Sequence, residues 1–209
     1  MQITIREPGS AITHFIGMMM AIFAAVPLLV KAGITAGTRT MFAMGIFMAS
    51  MILLYGASAT YHSVNLTGRA LRIFRKLDHM MIFVLIAGSY TPICLIVLGG
   101  SAGYTMLAVV WGIALVGMII KACWITCPKW FSSIIYIAMG WVCVFVFRQL
   151  LHTLPTSGFL WLLAGGIIYA LKLPIFNAKH KTFGSHEVFH LFVMGGSICH
   201  FIFMYLYVA

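Results

Sequence analysis

The chain has 209 residues, of which 63% are hydrophobic and only 8% are charged, so it is too apolar to be a soluble globular protein. Thirteen lysine and arginine residues against three acidic residues give a formal net charge of +10. This excess fits a basic collar that faces anionic lipid headgroups at a membrane surface. We expect no nucleic-acid partner, because no part of the chain has the composition of a compact basic domain.

The apolar runs predict an all-α integral membrane protein with seven transmembrane helices. Each run approaches the roughly 20 residues that a spanning helix needs, and the runs cover residues 11–30, 41–62, 77–98, 104–121, 132–150, 159–175 and 186–208. The connections between them are short, so we expect a single membrane domain over residues 1–209. The first run is predicted to be a retained helix, because it is long for the core of a signal peptide.

The basic residues predict the orientation of the seven helices. Ten of them lie in the N-terminus or near the even-numbered connections: Arg6, Arg69, Arg72, Arg75, Lys76, Lys121, Lys129, Lys172, Lys179 and Lys181. The other side has three: Lys31, Arg39 and Arg148. The positive-inside rule therefore places the N-terminus in the cytosol and the C-terminus outside.

The five cysteines are expected to remain unpaired thiols. Four of them lie in or beside apolar runs, which is not the pattern of a disulfide framework. Cys123 and Cys127 flank a turn predicted to face the cytosol, where thiols stay reduced. Metal binding by that pair is the alternative interpretation.

The pentapeptide His186-Glu-Val-Phe-His190 opens the last apolar run and predicts a metal site. Histidines four residues apart lie on one face of a helix, about 6 Å apart, so both imidazoles can bind one zinc ion. His200 is ten residues further along, about 15 Å deeper at the helical rise. It is therefore too distant to join the pair.

Polar residues from two other runs are expected at the same depth. Ser58 and His62 end the second run, four residues apart and on one face, while Asp78 opens the third run. Ionisable groups at membrane depth are costly and usually functional. Together with His186 and His190, His62 would complete the three-histidine ligand set of a catalytic zinc site, which keeps a position open for water. A carboxylate close by would hold or deprotonate that water.

Each of these residues also has an ordinary structural interpretation. His62 alone could be an interfacial side chain that reaches toward water, and Ser58 could be a small residue that lets helices pack closely. Asp78 could cap the third helix, where a carboxylate meets the positive end of the dipole. His79 could replace one ligand, and His14 could support the site from the first helix.

Six motifs occur in a fixed order along the chain: Ser58-Ala-Thr-Tyr-His62, Leu77-Asp-His79, Ala87-Gly-Ser-Tyr-Thr-Pro92, Ala138-Met-Gly-Trp141, His186-Glu-Val-Phe-His190 and Gly195-Gly-Ser-Ile-Cys-His-Phe201. Together they closely resemble the bacterial hemolysin III family, which belongs with the progestin and adiponectin receptors and looks related to the alkaline ceramidases. The resemblance implies zinc (Zn2+) held by His62, His186 and His190. It also implies that Asp78 and Ser58 lie close to the water that completes the coordination. A location in the bacterial plasma (inner) membrane follows, and the family name implies cytolysis.

Glu187 and the N-terminal segment receive no role in this prediction. The family pattern needs the two histidines of the last motif and not the glutamate between them. On a helix Glu187 points about 100° away from His186, toward the basic collar. The acidic and Asn-rich lead-in common in the family is reduced here to Glu7 and Ser10.

Three functions are compatible with these residues. The first is a zinc-dependent hydrolase of an amide or ester in a membrane lipid, acting in membrane-lipid homeostasis, with Asp78 and Ser58 as catalytic residues. The second is a non-enzymatic sensor or receptor of membrane state, in which zinc joins the second and seventh helices structurally. The third is an intramembrane zinc protease with Glu187 as base and Asp78 as third ligand, which would leave His62 and Ser58 without roles.

Overall fold

The protein is entirely helical in a computed structural model that describes residues 5–177 and 185–209. The described residues form eight α-helices: α1 Pro8–Thr35, α2 Thr38–Ser63, α3 Gly68–Pro92, α4 Gly100–Cys123, α5 Lys129–Gly140, α6 Phe147–Thr153, α7 Thr156–Asn177 and α8 Ser185–Tyr207. A π-helical stretch, Ile93–Leu98, continues α3, and a 3-10 stretch, Val142–Val146, joins α5 to α6. The predicted all-α class is confirmed.

Six described stretches are long and apolar enough to cross a membrane: Pro8–Thr35, Thr38–Ser63, Gly68–Leu98, Gly100–Cys123, Trp130–Thr153 and His186–Tyr207. The apolar part of α7, Thr156–Leu171, is shorter. The seventh span and the orientation of the termini therefore stay predictions. Lys179 and Lys181, which contribute to the predicted orientation, lie outside the described residues.

Helix α3 begins nine residues before the predicted start of its apolar run, at Gly68 instead of residue 77. The extension contains three arginines and a lysine, which favour helix but keep their charges outside the hydrocarbon layer. Hydropathy therefore located the apolar part of this helix and missed its beginning. Asp78 lies inside α3 as a result, and the interpretation of Asp78 as a helix cap is wrong.

The helices close into a ring around the interior of the bundle. Helix α1 packs against both α2 and α8, α2 against α3, α3 against α4 and α5, α5 against α7, and α7 against α8. Successive membrane spans run in opposite directions. One end of the bundle therefore contains the end of α2, the start of α3, the end of α4 and the start of α8. We call this the site end of the bundle, since His62 and His186 lie there.

The span predicted as a continuous helix over residues 132–150 is broken after Gly140. At the break, the Tyr90 hydroxyl from α3 donates a hydrogen bond to the Gly140 carbonyl oxygen, at 2.6 Å, and accepts one from the Cys143 backbone N–H, at 3.0 Å. Helix breaks at membrane depth need such partners, because water is not there to satisfy the freed backbone groups. The partner comes from another helix, so the sequence of this span alone did not predict the break.

Candidate metal centre

Three histidines from two helices converge at the site end. His62 is in the last turn of α2, and His186 and His190 are in the first turns of α8, with one potential ligand atom from each lying within 4.8 Å of the others. The Nε2 atoms of His62 and His186 are 3.3 Å apart. Tetrahedral zinc with bonds of 2.0–2.1 Å places its ligand nitrogens about 3.3 Å apart. The three imidazoles therefore fit a single metal ion.

In two of these rings, the Nδ1 atom lies within hydrogen-bonding distance of a neighbouring group. Nδ1 of His62 lies 2.5 Å from a carboxylate oxygen of Glu7. Nδ1 of His190 lies 3.2 Å from the Ser10 carbonyl oxygen and 3.1 Å from the Thr13 hydroxyl. Carboxylates and carbonyls in this position accept the Nδ1 proton, which leaves the Nε2 lone pair free to bind a metal ion. Both rings are almost fully buried, with 2% and 1% of their surface exposed.

The start of α1 is thus part of the centre, which the sequence analysis missed. Besides the contact of its carboxylate, the backbone N–H of Glu7 donates to the His62 carbonyl oxygen at 3.0 Å. The ring of His14 stacks on His190 with 3.6 Å between the ring centroids, so His14 lies against a candidate ligand. The available signal was that Glu7 is one of only three acidic residues in the chain.

Glu187 lies against the first turn of α1 and not against the basic collar. The Ser10 hydroxyl donates to its carboxylate at 3.4 Å, and a β-carbon added at Gly9 would lie 2.8 Å from the same carboxylate oxygen. A carboxylate at the start of a helix is favoured by the helix dipole. The predicted direction of this side chain is therefore wrong, and the reason is a tertiary contact with α1.

Asp78 and Ser58 lie beside the three histidines. Ser58 is 1% exposed, and both Ser58 and His62 are close enough to the Asp78 carboxylate to interact with it. His79 Nδ1 is 3.4 Å from Asp78 Oδ2 and 2.9 Å from the Arg75 carbonyl oxygen. Neither Asp78 nor His79 belongs to the group of described residues that could ligate the metal. The structure therefore places Asp78 next to the centre.

A cavity of about 450 Å³ opens beside these groups. This volume is in the range of small-molecule binding sites. The three histidines, Asp78 and Ser58 are on its wall, and much of the remaining wall is apolar: Leu54, Ile82, Leu85, Ile86, Ile137 and Val193. His200 is also on the wall, where its Nε2 lies 3.3 Å from the Leu162 carbonyl oxygen. The candidate centre therefore has access to a space that can hold a molecule.

The fold and this centre define a class: multi-pass membrane proteins with a cluster of three histidines that could hold a metal ion inside the bundle. A family profile described as "Haemolysin-III related" matches residues 2–201, and the chain belongs to this family. The resemblance found in the sequence motifs is thereby confirmed.

Two bacterial relatives match nearly the whole chain. Hemolysin-3 of Bacillus cereus is 37% identical over 97% of this chain and 92% of the relative. The Hemolysin-3 homolog of Bacillus subtilis is 36% identical over 98% and 95%. An adiponectin receptor protein of Drosophila melanogaster is 24% identical over 93% of this chain, which spans about half of that relative. The protein is accordingly a multi-pass bacterial membrane protein.

Proposed function

We propose that the protein is a zinc-dependent hydrolase that cleaves an amide or ester bond in a membrane lipid. One observation carries the proposal: the three histidines and the Asp78–Ser58 pair share the wall of one largely apolar cavity of about 450 Å³. A centre that only held helices together would not need an adjoining cavity with a partly buried carboxylate.

Zinc is the metal that this donor set favours. Three imidazole nitrogens suit zinc, and three protein ligands with a fourth position for water or substrate are typical of catalytic zinc sites. His62, His186 and His190 would hold the ion, with Glu7 and Ser10 orienting two of the rings. When bound there, zinc supplies Lewis acidity, which activates water and polarises a carbonyl group.

Asp78 is the proposed general base. Its carboxylate lies beside the histidines and would accept the proton that the attacking water releases, then pass a proton to the leaving group. General bases typically contribute about 10²–10⁴-fold to the rate. Ser58, which interacts with the carboxylate, orients Asp78 and the water between them.

The apolar part of the wall supports a lipid as the substrate. An acyl chain would lie against it, while the headgroup linkage would lie at the site end beside the histidines. Anionic headgroups around the bundle would pair with the basic residues near this end, which we propose faces the cytosol. On this proposal the enzyme acts in membrane-lipid homeostasis, and cytolysis by proteins of this family is an indirect effect of disturbed membranes.

A structural role for zinc in a sensor or receptor is the second candidate. The observation in its favour is that His62 belongs to α2 whereas His186 and His190 belong to α8, so one ion would join two helices from opposite ends of the sequence. We do not propose the protease mechanism. Its base, Glu187, contacts Ser10 on α1, and His62, not Asp78, belongs with His186 and His190 to the group that could hold a metal ion.

The experiment measures zinc content and lipid turnover on the same purified samples. We expect His62→Ala, His186→Ala and His190→Ala to lose stoichiometric zinc, while the exposed His152→Ala retains it. Asp78→Asn is expected to keep zinc and the fold and to lose about 10²–10⁴-fold in turnover of a lipid amide or ester. A wild-type protein that binds zinc but cleaves no lipid in such a screen would support the sensor instead. Strong sensitivity to Glu187→Gln, with Asp78→Asn unaffected, would support the protease.

A further inference from the structure

Lys121, in the last turn of α4, is a buried cation that the proposed mechanism does not use. Only 3% of its surface is exposed. Its ammonium donates to the Ser132 hydroxyl at 2.5 Å and to the Cys127 sulfur at 3.2 Å, and Cys127, like the other four cysteines, is a free thiol. An ammonium has three N–H groups. The third has no acceptor among the described residues.

None of the three acidic side chains forms an ion pair with Lys121. All three acidic residues lie in the described part of the chain, and each is engaged elsewhere: Glu7 with His62, Asp78 with His79, and Glu187 with Ser10. A buried ammonium without a counter-charge is strongly unfavourable, and hydrogen bonds to uncharged groups compensate only in part. The missing charge is therefore expected from a bound ligand.

Lys121 is on the wall of the cavity that also contains the three histidines. Cys127, Ser132 and Ser133 line the same part of the wall, and so does the exposed Arg75 from α3. An ammonium, a guanidinium and serine hydroxyls together are the donors that a phosphate group binds well, because its oxygens accept several hydrogen bonds at once.

Tyr136 connects this cluster to the proposed catalytic carboxylate. Its hydroxyl donates to the His79 carbonyl oxygen at 3.1 Å, and the side chain is close enough to both Asp78 and Cys127 to interact with each. A ligand bound by Lys121 would therefore be next to Asp78, within the same cavity.

We propose that Lys121, Arg75 and Ser132 bind a phosphate group, and that the substrate is a lipid with an anionic phosphate in its headgroup. The second half of this statement rests on the proposed hydrolase function, whereas the phosphate site itself does not. The acyl chain would extend along the apolar wall, and the phosphate would hold the linkage between Lys121 and the histidines.

The test measures the shift in thermal unfolding of the full-length protein in nonionic detergent as short-chain phosphatidic acid is titrated. Diacylglycerol of the same chain length, which has no phosphate, and inorganic phosphate are titrated in parallel. We expect phosphatidic acid to stabilise the wild type, diacylglycerol to stabilise it far less, and inorganic phosphate to compete with phosphatidic acid. Lys121→Met should weaken phosphatidic acid binding at least tenfold, about the value of one charged hydrogen bond.

Lys31→Met is the matched control. Lys31 is also a lysine near the end of a membrane helix and donates to a backbone carbonyl, that of Tyr205, but it is not on the cavity wall. The Lys31→Met variant should bind phosphatidic acid as the wild type does. If Lys121→Met does not fold, Arg75→Gln is the test variant. Arg75 is exposed, so its substitution should weaken phosphatidic acid binding without affecting the fold.

Equal binding of phosphatidic acid to the wild type, Lys121→Met and Arg75→Gln would overturn the proposal. A second result would also overturn it: phosphatidic acid does not stabilise the wild type, and Lys121→Met and Cys127→Ala lower its stability equally. A Cys127 thiolate would then be the counter-charge of Lys121. Neither result depends on turnover. If the protein cleaves no lipid but still binds phosphatidic acid, only the hydrolase proposal fails. If it does not bind phosphatidic acid but contains zinc and cleaves uncharged lipids, only the phosphate site fails.

Discussion

At the scale of single residues, the candidate metal centre includes the groups that hold the Nδ1 atoms of His62 and His190. Glu7 lies 2.5 Å from Nδ1 of His62, and the Ser10 carbonyl lies 3.2 Å from Nδ1 of His190. Such partners fix the tautomer and the direction of the ring, and a carboxylate makes the ring a stronger ligand. Residues at the start of α1 therefore hold two rings of a histidine cluster to which they contribute no candidate ligand.

Glu7→Gln tests this role. We expect the variant to fold and to bind zinc about 10–100-fold more weakly, because the amide is a poorer acceptor for the Nδ1 proton than the carboxylate. Competition with a chelator of known affinity measures the change. Glu187→Gln is the matched control, since Glu187 contacts Ser10 without contacting a ligand nitrogen. Equal weakening in both variants would contradict the assigned role of Glu7.

At the scale of elements, the broken span Trp130–Thr153 depends on a side chain from another helix. The Tyr90 hydroxyl bonds both the Gly140 carbonyl and the Cys143 N–H. Tyr90→Phe would leave these two backbone groups without their partner, which we expect to lower the free energy of unfolding by roughly 1–3 kcal/mol. Thermal or denaturant unfolding in detergent measures this.

Tyr104→Phe is the control for that substitution. Tyr104 is 54% exposed, and its hydroxyl accepts a hydrogen bond from Arg39. Removing an exposed hydroxyl should change stability little, since water replaces the lost partner. A similar loss of stability in both variants would show that Tyr90 does not hold the break.

The contact between α2 and α3 requires a glycine at position 88. A β-carbon there would lie 2.5 Å from the Ser50 β-carbon and 2.2 Å from its hydroxyl oxygen. We expect Gly88→Ala to destabilise the bundle by about 1–3 kcal/mol, as overpacked cores do, in the same unfolding measurement. Gly112→Ala, which meets nothing within 4 Å, should be neutral or stabilising because alanine favours helix. Failure of Ser50→Gly to rescue Gly88→Ala would argue against the close contact as the cause.

At the scale of the whole molecule, α1 and α8 join the two ends of the sequence at the metal centre. Helix α1 packs against α8, and Ser10, Thr13 and His14 all contact residues of α8. The ring of helices therefore closes where the histidines meet. This arrangement puts the site end of the bundle on the side where ten of the thirteen basic residues are expected.

The orientation of the bundle is tested by cysteine labelling in intact cells with a membrane-impermeant maleimide. We expect a cysteine added after Ala209 to react and a cysteine replacing Arg72 to react only after the membranes are opened, because the positive-inside rule places the basic end in the cytosol. The exposed Cys123 is replaced in both variants to remove its background. The reverse pattern would place the metal centre at the outer face.

The amino-acid sequence was enough to predict the class of the protein and the three histidines of its candidate centre. Composition excludes a soluble fold, because a chain this apolar cannot cover its surface with polar groups. The spacing of His186 and His190 depends only on the helical period, which is a local property. His62 and Asp78 could be added from depth alone, since helices that alternate in direction bring the end of one span and the start of the next to the same side.

Contacts between helices fix which groups surround that centre, and the sequence did not predict them. The roles of Glu7 and Ser10, the break after Gly140 and the placement of Lys121 on the cavity wall all depend on contacts between helices far apart in sequence. Hydrophobic periodicity specifies which face of a helix is buried, but not which partner meets that face or where a polar side chain interrupts the packing. The sequence also did not predict where α3 begins. Charged residues extend this helix beyond its apolar part, and hydropathy detects only the apolar part.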